Sequence, residues 1–164
     1  KHSVGFSFAN LHPGTSAITL FKMTNQGSIP AKIGGVSVAI TDKYGETIDV
    51  EDPVVKDMIV HYRFDMGSGS DTMIIAGNCN LTELESKLNA ENIESDDGSG
   101  LKGVVIDPKE YITTGVKDGD KLSDTFYFNL PGRALNGNAG QDETIKVVIT
   151  FDFVQYNEDI TTAE

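Results

Sequence analysis

Tryptophan is absent, cysteine occurs once, and 13 basic residues stand against 25 acidic ones. Each shortage excludes something. With Cys79 as the single thiol, no disulfide can form within the chain, and packing has to hold the core. A catalytic cysteine needs a histidine placed beside it, and nothing in the sequence locates one, so a buried or inert thiol is the simpler reading. A net charge of −12 argues against a nucleic-acid backbone or an anionic membrane surface as partner. The acidity suits divalent cations, high salt or plain solubility. No run of eighteen apolar residues occurs, so there is no helical membrane span. Also lacking are H-E-x-x-H, G-x-S-x-G, a phosphate loop and C-x-x-C. His2, His12 and His61 stand apart from one another and read as surface residues. The chain starts at Lys1 rather than Met, as it would after removal of a signal peptide or at a trimmed boundary.

What is present is β-forming. At 164 residues the chain has the size of one domain with a real core. Seventeen glycines, with phenylalanine and tyrosine as the only large aromatics, suit a loop-rich β-sandwich better than a helical bundle. Val4, Phe6 and Phe8 alternate with small residues. Val36, Val38 and Ile40 do the same after Gly34-Gly35, and Thr47–Val50 reads as the return limb of a hairpin turning at Asp42–Gly45. Pro53 then breaks the pattern. Met58, Val60, Tyr62, Phe64 and Met66 share one face of a strand, and 72–76 make a short apolar strand. The longest alternation closes the chain: Ile145, Val147, Ile149, Phe151 and Phe153 oppose Lys146, Val148, Thr150, Asp152 and Val154. A strand of that length with one apolar face belongs at the centre of a sheet.

One helix is expected at about 81–89, capped by Asn80 with Glu83 in the reciprocal position and striped by Leu81, Leu84 and Leu88. It is expected to lie across an end of the sandwich. Asn80-Leu-Thr82 is also a glycosylation sequon, although capping already accounts for Asn80. Residues 91–100 read as an acidic surface loop and 101–106 as a strand. Asp107-Pro-Lys-Glu110 reads as the start of one helical turn, and 158–164 as a polar tail. The count of eight to nine strands with one helix makes an all-β, jelly-roll-like sandwich the expected fold, in a single domain over 1–164.

The stretch Asn10–Pro30 reads turn, strand, turn, with Pro13 and Gly14 at the first corner and Gly27 in the second. The same grammar returns at 116–132. There Gly119 stands for Gly14, Phe126 for Phe21, Phe128 for Met23 and Gly132 for Gly27, suggesting two equivalent strands. Around Gly119, Asp118, Asp120 and Asp124 are candidate calcium ligands. Their spacing is not that of an EF-hand and the closing glutamate is missing, so an ordinary acidic turn accounts for them as well.

Asn10-Leu11-x-Pro13-Gly14, a strand ending at Phe21 and then Asn25-x-Gly27-Ser28-x-x-Ala31 together resemble the TasA/camelysin family of secreted, fibre-forming proteins. The closing strand from Lys146 to Asn157, with Phe151, Phe153, Gln155 and Tyr156, is similar to that family's last strand. Thr15 departs from the family's usual Asp, which Asp120 restores in the second copy. The resemblance covers both ends of the chain and implies a jelly-roll subunit of an extracellular homopolymer such as a biofilm fibre. In such fibres an N-terminal segment adds as a strand to the next subunit. Val4, Phe6 and Phe8 are the candidate donor residues, unless 1–9 is the domain's own first strand. Two other readings stand beside this one. A camelysin-like metallo-endopeptidase lacks any zinc-ligand set here, and a monomeric cell-surface binding module would need exposed aromatics where these read as core.

Overall fold

The computed structural model describes residues 2–9, 14, 16–68, 71–93, 100–114, 126–131 and 143–155, the side chains of 67, 68, 71 and 72 excepted. Alternation decides its two central strands. In β5 (Ile59–Ser68) and the residue before it, Met58, Val60, Tyr62, Phe64 and Met66 are buried. In β10 (Ile145–Gln155), Ile145, Val147, Ile149 and Phe151 are fully buried. Each strand presents one apolar face, and the two sheets bury those faces against each other.

Eight further strands complete the sheets: β1 (His2–Phe8), β2 (Ser16–Ile18), β3 (Lys22–Thr24), β4 (Ala31–Thr41), β6 (Asp71–Asn80), β7 (Val105–Ile106), β8 (Tyr111–Thr113) and β9 (Tyr127–Asn129). One sheet runs β1-β10-β4-β7. The other runs β2-β9-β5-β8-β3, with β6 also paired to β5. Every pairing of strands is antiparallel.

Register shows that two of these strands are halves of others. Thr113 lies opposite Asp65 and Tyr127 opposite His61, so four steps along β5 correspond to fourteen from β8 to β9. Lys22 opposite Thr113 and Ile18 opposite Tyr127 repeat the same mismatch. Thus 16–24 is one strand, and β8 and β9 are one strand carrying ten extra residues. The seam is closed by two buried threonines. The Thr114 hydroxyl donates to Thr19 O and accepts from the Phe21 N–H, while the Thr19 hydroxyl donates to Phe126 O. Counted this way the described residues form eight strands, ordered 1-8-3-6 and 2-7-4-5, which is the jelly roll. The two similar stretches at 10–30 and 116–132 therefore supply hydrogen-bonded neighbours in one sheet, with Ala17 opposite Phe128.

Local details differ from expectation for identifiable reasons. β4 starts at Ala31, not after the glycine pair. Its register with β10 shifts between Asp152 and Phe153, so Gly34 is an extra residue. This bulge lets Ile33 and Val36, three apart, both be buried. Pro53 does not merely break a pattern. It opens α1 (Pro53–Asp57), whose N-cap Asp52 accepts from the Val54 and Val55 N–H groups at 2.9 and 3.4 Å. The helix expected at 81–89 is a 3-10 turn over Leu81–Glu83 followed by α2 (Leu84–Leu88). It lies along the edge of β4, because Glu85 and Asn89 bond to that strand. Asp107–Glu110 closes a turn, not a helix, with Lys109 at φ 72°. Of 101–106 only Val105–Ile106 pairs as a strand, since the chain turns at Gly103 with φ 92°. The short strand expected at 72–76 extends over all of β6.

Candidate assembly surface

β1 is the outer strand of its sheet and pairs with β10 from His2 opposite Phe151 to Phe8 opposite Ile145. Its alternation sorts the side chains: Phe8 is buried and Val4 and Phe6 half-buried, while Ser3, Gly5 and Ser7 face the other way. The Phe6 ring sits 5.8–6.4 Å from those of Phe21, Phe126 and Phe128, and Phe8 lies 4.8 Å from Phe128. These three partners belong to the opposite sheet, so β1 lays two rings into an aromatic slot between the sheets. On the exposed side, Ser3 Oγ and Thr150 Oγ1 are hydrogen-bonded at 2.8 Å.

The backbone of β1 is half used. The Val36 N–H points away from β10 to Asn89 Oδ1, so Phe151, opposite it, directs its own bonds toward β1. Alternation then turns the N–H groups of Ser3, Gly5 and Ser7 outward, where they meet no partner among the described residues. No residue of β1 is a lysine, arginine, aspartate or glutamate.

The turns of the resembled motif have definite tasks. Gly14 adopts φ 90°, a conformation that costs glycine nothing, and its N–H donates to Leu130 O at 2.8 Å. Asn25 explains the Asn-x-Gly spacing. Its Oδ1 accepts from the Gly27 N–H, and its Nδ2 donates to Ile29 O and Ile106 O, each at 2.9 Å. Its backbone bonds both ways to the 107–110 turn, donating to Glu110 O and accepting from the Lys109 N–H. That long-range anchoring had no sequence signal beyond the motif itself. Pro13, Gly119, Asp118, Asp120 and Asp124 lie outside the described residues.

Beside this corner a cleft of about 470 Å³ opens between His2, Met23, Asn25, Gln26, Ile106 and Phe153. The His2 ring meets Phe153 edge-on at 5.6 Å. His61 is not bare surface: it stacks on Tyr127 at 5.0 Å and 11°. Burial pushes the Cys79 thiol up to about 11, which keeps it protonated and inert at neutral pH. Among the described residues no three of His, Cys, Asp and Glu converge as a metal centre requires. No helix among them is long and apolar enough to cross a membrane. No family model matches the chain, and no curated protein matches it.

Proposed function

We propose that this jelly roll is a structural subunit that polymerises outside the cell by strand exchange, β1 of one copy docking beside β10 of the next. The observation that carries the reading is β1 itself. It lies at the edge of its sheet with β10 as its one neighbour among the described residues, and it holds two phenylalanines in an aromatic slot that any identical strand fits equally well. The resemblance to secreted fibre-forming proteins supports the same reading. Backbone bonds to β10 supply strength, and the alternating Val4, Phe6 and Phe8 set register. Each phenylalanine contributes roughly 2–3 kcal/mol on burial, enough for a persistent junction.

The test uses the exposed Ser3–Thr150 pair. Ser3→Cys with Thr150→Cys, in a Cys79→Ser background, is oxidised and run on a non-reducing gel beside electron micrographs. Exchange gives filaments and a covalent ladder. A single internally crosslinked band without filaments means β1 serves only its own domain, and the reading falls.

A further inference from the structure

β6 forms the outer edge of the second sheet, and its backbone has a defined polarity. The Leu81 N–H donates to Met58 O at 2.8 Å, one step beyond the Ile59–Asn80 pairing. The register continues unbroken to the far end of the strand. Alternation by two then directs the backbone of Cys79, Gly77, Ile75 and Met73 toward β5. Ile74, Ala76 and Asn78 direct theirs outward. The outward N–H of Asn80 is taken by Glu83 Oε2 at 3.3 Å. Those of Ile74, Ala76 and Asn78 meet no partner among the described residues.

Nothing in β6 discourages pairing. Edge strands are normally blunted by lysine, proline, inward charge or a bulge. This ten-residue edge has no proline, no bulge and one charged residue, Asp71, at its first position. Ile74 is 54 % exposed. Gly77 does not weaken the strand, because the Tyr62 ring and hydroxyl occupy the space a β-carbon would need, as aromatic cover does for edge glycines.

We propose that β6 pairs with β6 of a second copy, antiparallel about a two-fold axis at Ile75, joining the two sheets into one. This goes beyond strand exchange at β1, which lies in the other sheet. Self-pairing is favoured because the edge is its own complement. A two-fold pairing must match outward-bonding residues with one another, and centring on Ile75 sets Ile74 against Ala76 of the second copy, and Asn78 against its residue 72. About eight hydrogen bonds result. On the solvent face Ile74 covers the second copy's Ala76 and meets its Ile74 diagonally. On the core face the two Ile75 side chains meet on the axis. Charge permits the same site. Copies of net charge −12 repel, but this register sends the one charged residue of each strand to opposite ends of the ladder.

Amide hydrogen exchange read by NMR on the full chain, from low to high protein concentration, tests this. In dilute solution Ile74, Ala76 and Asn78 exchange fast while Ile75, Gly77 and Cys79 are protected. At high concentration the first three slow at least tenfold, sooner in added salt, which screens the repulsion. Ile74→Lys, an exposed change that leaves the β5 ladder intact, restores fast exchange at Ala76 and Asn78. The proposal is overturned if these amides stay fast at every concentration, whatever else assembles. It is equally overturned if they are protected in dilute protein, or if protection survives Ile74→Lys. A chain lacking residues 2–9 that loses filaments but keeps this protection separates the two assemblies.

Discussion

The outer edges of β4 and β6 are strands of similar length treated in opposite ways. Along β4, Ala31 and Lys32 pair with β7, and Ile33 bonds to Gly103 and Val104. The Val36 N–H is taken by Asn89 Oδ1 and the Val38 N–H by Glu85 Oε1, both at 2.9 Å, while Ile40 O accepts from Ile48. The outward N–H groups of Ile33, Val36 and Val38 are thus all taken. Along β6, among the described residues, only the last outward N–H is covered. The difference follows from chain direction. Glu85 and Asn89 of α2 and its C-cap, and Gly103 and Val104 further on, spend their polar groups on β4 and not on β6, the strand that leads into α2. An edge is protected by whatever passes it, and among the described residues nothing passes β6 as α2 passes β4.

The largest effect expected lies between the edges. Phe151→Ala removes a fully buried ring that touches Phe21 and Phe64 across the sheets. It should cost about 3–5 kcal/mol in chemical denaturation. A loss under about half a kcal/mol would mean the central strand is not the core that both edges flank.

Next comes uncapping β4. Asn89→Ala strands the N–H of buried Val36 and should cost about 1–3 kcal/mol. Glu85→Ala should cost less, about 0.5–1 kcal/mol, since water reaches the freed Val38 N–H. The double variant makes β4 resemble β6, and light scattering should show new self-association that Ile74→Lys does not suppress. Unchanged scattering would mean those two side chains do not guard the edge.

The parts legible in sequence and the parts that were not divide along the same line. Alternation exposed β5 and β10 because each has one face in the core, and periodicity reports burial directly. The jelly-roll class followed from strand number and turn spacing. What stayed hidden depends on residues far apart in the chain. Nothing near Asn89 signals that it caps Val36. The thirteen residues separating β8 from β9 look like a boundary between strands until register shows ten of them to be extra within one. Gly34-Gly35 reads as an entry to a strand, yet the same glycines serve as a bulge once β10 lies alongside. Of the candidate assembly residues, the apolar face of Val4, Phe6 and Phe8 was readable. Its slot among Phe21, Phe126 and Phe128 required the fold. The edge position of β6 was invisible, because an edge is defined by which strands pair and not by its own residues.

The smallest effect concerns pH and again separates the two edges. At the entry to β10, Glu143 is hydrogen-bonded to Asp52, and that bond, with burial and the neighbouring charge, pushes its carboxyl up to about 7. Asp52 also accepts from the first amides of α1. In the unfolded chain a glutamate titrates near 4.5. Between those values the folded protein binds the extra proton, so this group's contribution to stability falls as pH rises from about 4.5 to about 7 and is flat above. Solvent screens the pair, so the slope should be shallow. Glu143→Gln keeps a donor for Asp52 without the charge, and urea midpoints from pH 5 to 8 should lose that slope. The edge of β6 carries no ionisable side chain between Met73 and Asn78. Exchange at Ile74, Ala76 and Asn78, measured at fixed concentration, should therefore respond identically to pH in the wild type and in Glu143→Gln. Divergence between the two would tie the open edge to the fold's titration and erase the distinction between a covered edge and a bare one.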